Sequence, residues 1–248
     1  MRLSFTLAIL ISLAGCGGTG LGLDLVPEQQ AEAMGIEAWQ AIRTETPVST
    51  NAEYRQRAEK VSARLLQAAG KNPSEWEVVV FGSNEVNAFA LPGRKIGIHE
   101  GMMRMARTDD QLAAVIGHEI AHVDARHPSE RISSQMATQA GVDVAGSLLG
   151  ASLGTDPRMI AGLLGAGAQF GVLLPYSRNQ ELEADSLGLR MMAKAGYDPR
   201  EAVALWEGMK SVGDRAPAFL STHPAPDARI KQLQAQMPEA LKAYQGRG

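Results

Sequence analysis

The sequence predicts a mostly helical α+β fold, and three observations lead there. Residues Ala52 to Ala69 carry a long amphipathic pattern that sets Ala58, Val61, Leu65 and Leu66 on one helical face. Three β-rich stretches follow closely, enough for a small sheet. A second periodic run, Leu112, Val115, Ile116 and Ile120, then begins behind Asp109-Asp110, whose charges suit a helix N-terminus. Strands gathered in one place between helices, rather than alternating with them, read as α+β.

The β-rich stretches are Trp76 to Phe81, roughly Val86 to Leu91, and the alternating Lys95 to His99 after a turn at Pro92-Gly93. The helix opening near residue 109 runs to about Arg126. Further on, a helix is expected from about Gln180 to Ala195. Gly196-Tyr197-Asp198-Pro199 ends it at the glycine, while Asp198 caps and Pro199 begins the next. A last helix follows Pro226, and no internal repeat is present.

At 248 residues and 45% hydrophobic content the chain can bury a substantial core. Its formal charge of −3 comes from 24 basic and 27 acidic residues spread along the sequence. There is no basic stripe of the kind nucleic-acid binding requires, so nucleic acid is not an expected partner.

The N-terminus reads as an export signal. Met1-Arg2 and the apolar run Leu3 to Leu13 have the charged start and short hydrophobic stretch of a signal peptide, too short for a stable membrane span. The run ends in Leu13-Ala14-Gly15-Cys16, which resembles the lipobox of bacterial lipoproteins. Cys16 is the only cysteine, so an intrachain disulfide is impossible and lipidation is its expected fate. Gly17, where an aspartate would favour retention, favours release to the outer membrane by similarity to Gram-negative lipoproteins. The expected organisation is a signal peptide over residues 1–15, a lipidated N-terminus, tether and first helix over 16–47, and one domain over 48–248.

One later segment raises a membrane question. Between Arg158 and Arg178 lie 19 uncharged residues. A single span there would put the chemistry-bearing residues before and after it on opposite sides of the bilayer. A hairpin fails too, because the preceding uncharged run of twelve residues reaches only about 18 Å against a hydrocarbon core of ~30 Å. Two buried helices between Gly141 and Tyr176, beside the site, are expected instead.

The chemistry centres on His118-Glu119-Ile120-Ala121-His122. Residues four apart share a helical face, so His118 and His122 can give two imidazole nitrogens to one zinc ion. Glu119 can then act as general base toward a zinc-activated water. With only five histidines in the chain, chance does not readily supply this pattern. A catalytic zinc normally has three protein ligands and one open position, so a third ligand is needed. Glu181 is the best candidate: it shares a face with Asp185, which can orient a histidine ligand, while Glu183 points elsewhere. Taken alone, such an acidic cluster also reads as a solvated helix face.

The motifs together resemble the Ste24/HtpX/Oma1-type metallopeptidases, family M48, and within it the bacterial periplasmic lipoprotein branch. The matching stretches are Asn87 to Gly93, Leu112 to His122, Ser177 to Asp185 with Gly188, Gly196 to Pro199, and Ser221-Thr222-His223-Pro224. The resemblance implies a zincin-like (gluzincin) fold and one zinc ion on His118, His122 and Glu181. It implies that Asn87 and Ala88 belong to an edge strand that an extended peptide augments. His223 would sit near the metal, either in the open position of a resting state or stabilising a tetrahedral intermediate, with Arg229 beside it, and both are candidate catalytic residues. Arg94-Lys95, where relatives often have a second small residue, departs from the pattern. His99 and His127 are expected to be structural or surface residues.

The expected activity is zinc-dependent endoproteolysis of unfolded or misassembled envelope proteins at the periplasmic face of the outer membrane. An assembly factor with a plugged, mostly silent zinc site is the alternative, with the outer-membrane assembly machinery as candidate partner. The motif specifies activated water rather than a substrate, so hydrolysis of another bond, such as a cell-wall amide, is a third reading.

Overall fold

A computed structural model describes residues 26–135, 175–211, 217–224 and 226–245. Cys16, the signal peptide and the tether lie outside the described residues, as does nearly all of the expected helix pair between Gly141 and Tyr176.

The fold is the expected α+β type: a three-stranded sheet among helices. Helix α1 spans Glu28–Glu45 and α2 Ala52–Ala68. Asn51 caps α2 by accepting a hydrogen bond from the Tyr54 N–H, and the predicted face, Ala58, Val61, Leu65 and Leu66, is buried. Strands β1 (Glu77–Phe81), β2 (Ala88–Leu91) and β3 (Lys95–His99) form a sheet of order β1-β3-β2. β1 runs parallel to β3, and β2 antiparallel to it, so β2 is an edge. The first two strands begin slightly later than the sequence suggests, because Trp76 closes a short 3-10 turn over Pro73–Glu75 and only from Ala88 does the ladder pair.

The sheet separates two cores. Trp39 and Ile42 of α1 pack on Phe81, Phe89 and Leu91, while Val80, Ala88, Ala90, Ile96 and Ile98 face the main core. This alternation follows from the two-residue period of a strand. All four β2 residues are therefore buried although the strand is an edge.

After the short α3 (Glu100–Met105), helix α4 runs Asp109–Asp124, capped where Thr108 accepts from the Gln111 N–H. It stops two residues before the expected Arg126, whose φ of 60° breaks the helical path. Residues 127–135 resume as helix. Helix α5 spans Arg178–Lys194 and opens with a capping box between Ser177 and Gln180. Helices α6 (Arg200–Lys210), α7 (Ala218–Thr222) and α8 (Pro226–Gln245) complete the described chain. No described helix is long and apolar enough to cross a membrane.

The α4–α5 contact positions the site, and glycine makes it close. A Cβ built on Gly188 would lie 2.9 Å from the His118 backbone nitrogen, so only a residue without a side chain fits. Gly188→Ala is expected to lower stability by about 1–3 kcal/mol through overpacking. Thermal melting should show it, and should show a smaller effect for Gly117→Ala, whose nearest contact is 3.4 Å.

Candidate active site

Helix α4 presents His118, Glu119 and His122, all buried, to the main core side of β2. Helix α5 brings Glu181 and Asp185, also buried, one turn apart on the face opposite. The residue after α7, His223, enters from the third side. The structure thus brings together the residues singled out in three distant stretches of sequence.

Side-chain nitrogens and oxygens converge at the centre. His118 Nε2 lies 3.0 Å from His122 Nε2 and 3.2 Å from His223 Nδ1. Glu181 Oε1 is 3.4 Å from His122 Nε2 and 3.0 Å from His223 Nδ1, and Oε2 is 3.5 Å from His118 Nε2. A tetrahedral ion with bonds of ~2.0–2.1 Å has ligand atoms about 3.3–3.4 Å apart. These four residues offer that geometry, with one ligand atom from each lying within 4.8 Å of the others. The donor set of imidazoles and one carboxylate suits zinc chemically.

The groups around the cluster fix it. His118 Nδ1 lies 3.0 Å from Asp185 Oδ1, which turns Nε2 toward the centre. Arg229, fully buried, donates through Nε and Nη2 to both Asp185 oxygens at 2.6 and 2.5 Å, and its Nη1 lies 2.5 Å from Glu181 Oε2. Its guanidinium rests 3.6 Å over the Trp206 ring. Arg229 is therefore the counter-charge of two carboxylates, and it also reaches the histidines, with Nη2 3.1 Å from His118 Nε2 and Nη1 3.4 Å from the His223 carbonyl oxygen. Tyr176 stacks on His122 with centroids 4.0 Å apart.

Electrostatics follow from this packing. Burial and the Arg229 charge pull the His118 pKa down, but Asp185 and Glu181 prevail and raise it to about 9. A cation binding there would displace that proton. Glu181 stays well below the usual carboxylate range although burial opposes it, because Arg229 and the histidines surround it. Burial, followed by the nearby Glu181 charge, pushes Glu119 up to about 7, even with His118 opposing. Burial lowers His223 to about 4, so its ring is neutral and able to offer a lone pair.

The β2 edge faces the same centre. Asn87 accepts from the His99 N–H at 3.0 Å, so its carbonyl belongs to the sheet. By strand alternation the peptide groups of residues 86, 88 and 90 point to the edge. Ala90 N–H donates to Glu119 Oε2 at 3.2 Å, and Val86 O accepts from Phe219 N–H at 3.1 Å. Of the two residues expected to meet substrate backbone, Ala88 offers its peptide groups to the edge and Asn87 does not offer its carbonyl.

His127, expected to be structural or on the surface, is buried and its Nδ1 lies 2.9 Å from His122 Nδ1. Glu183, expected to point elsewhere, reaches the far side of that ring. Spacing gave no signal for them, because an uninterrupted helix would have turned His127, five residues after His122, away from it; the break at Arg126 brings it back.

A zincin-like α+β fold with an HExxH helix, an edge strand above it and a glutamate on α5 that could join the two histidines on a metal ion points to a metallopeptidase. The chain belongs to peptidase family M48, whose sequence model matches residues 49–237. It is similar to the mitochondrial metalloendopeptidase OMA1 of Schizosaccharomyces pombe, with 39% identity over 184 residues, 73% of this chain and 52% of that one. The protein of that name from Saccharomyces cerevisiae is 33% identical over 75% of this chain and 57% of its own length. A beta-barrel assembly-enhancing protease of Yersinia pestis is 29% identical over 86% of this chain and 45% of its own. The chain spans about half the length of these curated relatives.

Proposed function

We propose that this chain is a zinc-dependent endopeptidase of the bacterial cell envelope that hydrolyses unfolded or misassembled envelope proteins. The observation that carries the reading is the convergence of His118, His122, Glu181 and His223 at tetrahedral ligand spacing beside a buried glutamate. Family membership favours peptide bonds over other amides, and the names of the relatives favour endoproteolysis. The Leu13-to-Cys16 sequence supports export and a lipid anchor, and the likeness to a protease named for β-barrel assembly supports the outer membrane and its assembly machinery as the setting.

His118, His122 and Glu181 would hold the ion. When bound, zinc supplies Lewis acidity that polarises the scissile carbonyl and acidifies water. An extended peptide adds to the β2 edge through the backbone of Ala88. Glu119, held by the Ala90 N–H, takes the water proton and delivers it to the leaving amine. Its raised pKa makes both transfers feasible near neutrality.

His223 occupies the fourth corner, where water must enter, and Phe219 occupies the edge carbonyl of Val86. This favours the resting-state role for His223 and gives the second reading, an assembly factor with a mostly silent site, its supporting observation. Zinc content and casein cleavage of the purified full-length chain test both. One zinc per chain and a severalfold rise in cleavage for His223→Ala are expected. A chain without zinc would refute the peptidase, and zinc with no cleavage in either protein would favour the assembly factor.

A further inference from the structure

Each of the two histidines of the helix motif has a second ring nitrogen, and the structure treats them differently. His118 Nδ1 meets a carboxylate directly, at Asp185. Among the described residues, His122 Nδ1 meets no carboxylate. It lies 2.9 Å from His127 Nδ1, and His127 Nε2 lies 3.4 Å from Glu183 Oε2.

We infer that His127 and Glu183 are positioning residues that orient His122 toward the metal through a histidine-to-histidine relay ending on a carboxylate. The inference rests on the proposed reading that His118, His122 and Glu181 hold a cation. Hydrogen-bond capacities then fix every proton. A neutral imidazole that ligates through Nε2 carries its hydrogen on Nδ1. His122 Nδ1–H must donate, so His127 Nδ1 must accept. A neutral His127 accepting at Nδ1 carries its hydrogen on Nε2, where Glu183, an acceptor only, stands. No other assignment of the two neutral rings satisfies both contacts.

The local fold is built for this contact. Arg126, at φ 60°, interrupts the helix immediately before His127 and lets the chain turn its ring back onto His122. His127 is 2% exposed, while the Glu183 side chain is 59% exposed, so the relay runs from the buried centre to the surface. Tyr176 covers one face of the His122 ring, and His127 fixes its edge. Such partners of ligating histidines commonly contribute ten- to a hundredfold in metal affinity.

The test measures zinc affinity by chelator competition, and the visible spectrum of the cobalt-loaded protein, for the full-length chain and variants His127→Ala, His127→Asn and Glu183→Ala. His127→Ala is expected to weaken zinc binding ten- to a hundredfold and to shift the cobalt bands, since His122 becomes free to rotate. His127→Asn, which keeps an acceptor at the Nδ1 position, should restore affinity to within about threefold of the parent. Glu183→Ala, at an exposed position that leaves packing intact, should show a smaller loss in the same direction, and it decides the matter if His127→Ala does not fold. Unchanged affinity and spectra in His127→Ala, or in Glu183→Ala where the first does not fold, would overturn the relay while leaving the metal site standing. A parent chain that binds neither zinc nor cobalt would overturn the metal reading itself, and the relay with it.

Discussion

Glu119→Gln is expected to lose roughly 10²–10⁴-fold in kcat and, once stripped of metal by a chelator, to be more stable than the parent at pH 8. The loss follows because glutamine cannot accept the water proton. It can still accept from the Ala90 N–H, so the fold has no reason to change. The gain follows from burial, which pushes the Glu119 pKa from 4.5 up to about 7. Between those values the unfolded chain has lost a proton that the folded chain keeps. Stability therefore falls as pH rises from 4.5 through 7, and the penalty is complete above 7. Its size is up to roughly 3 kcal/mol, and glutamine removes it. Urea denaturation in chelator at pH 8 and at pH 4 checks this, since the difference between the two proteins should nearly vanish at the lower pH. Equal stabilities at pH 8 would mean that the carboxylate is not confined as described.

Arg229→Met should be the most destabilising single change in the site. Methionine matches much of the side chain's length but leaves Asp185 and Glu181 buried without their shared cation. Breaking a buried ion pair from one side costs about 3–5 kcal/mol. Arg229→Lys should lose less, because the charge stays while the two-pronged contact with Asp185 is lost. Zinc should recover part of the methionine variant's loss, because a bound cation replaces the missing counter-charge near Glu181. Denaturation with and without zinc reads both effects. A loss below about 1 kcal/mol would show that the carboxylates find protons or water instead, contrary to the burial of both.

The placement of Arg229 changes how its sequence position should be understood. Six residues after His223, it looked like a companion in catalysis. In the fold, α8 places it against the His223 carbonyl oxygen and directs its guanidinium into the gap between α5 and Trp206, where two carboxylates already converge. Arg229 and Glu181 are 48 residues apart in sequence, with two further helices between theirs, so no local pattern joins them.

The same boundary between legible and hidden runs through the rest of the molecule. The faces of α2 and α4, the three strands, the glycine stop after α5 and the pairing of His118 with His122 were all readable, because each depends on a period of 2 or 3.6 residues or on a cap within one turn. Glu181 and Asp185 were readable as candidates, since four-residue spacing puts both on one face, but it was the family resemblance and not the spacing that favoured them over a solvated helix face.

What the sequence determined alone was the set of chemical groups and the elements that carry them: two imidazoles and a base on α4, a carboxylate pair on α5, a small sheet before them. Only the tertiary structure decided which of those groups meet. The Gly188 contact sets the distance between α4 and α5, the α7 turn sends His223 to the fourth corner, and the break at Arg126 swings His127 back to His122. Local periodicity fixes where a side chain points relative to its own backbone, whereas meetings between residues dozens of positions apart depend on how whole elements pack, which no short window of sequence records.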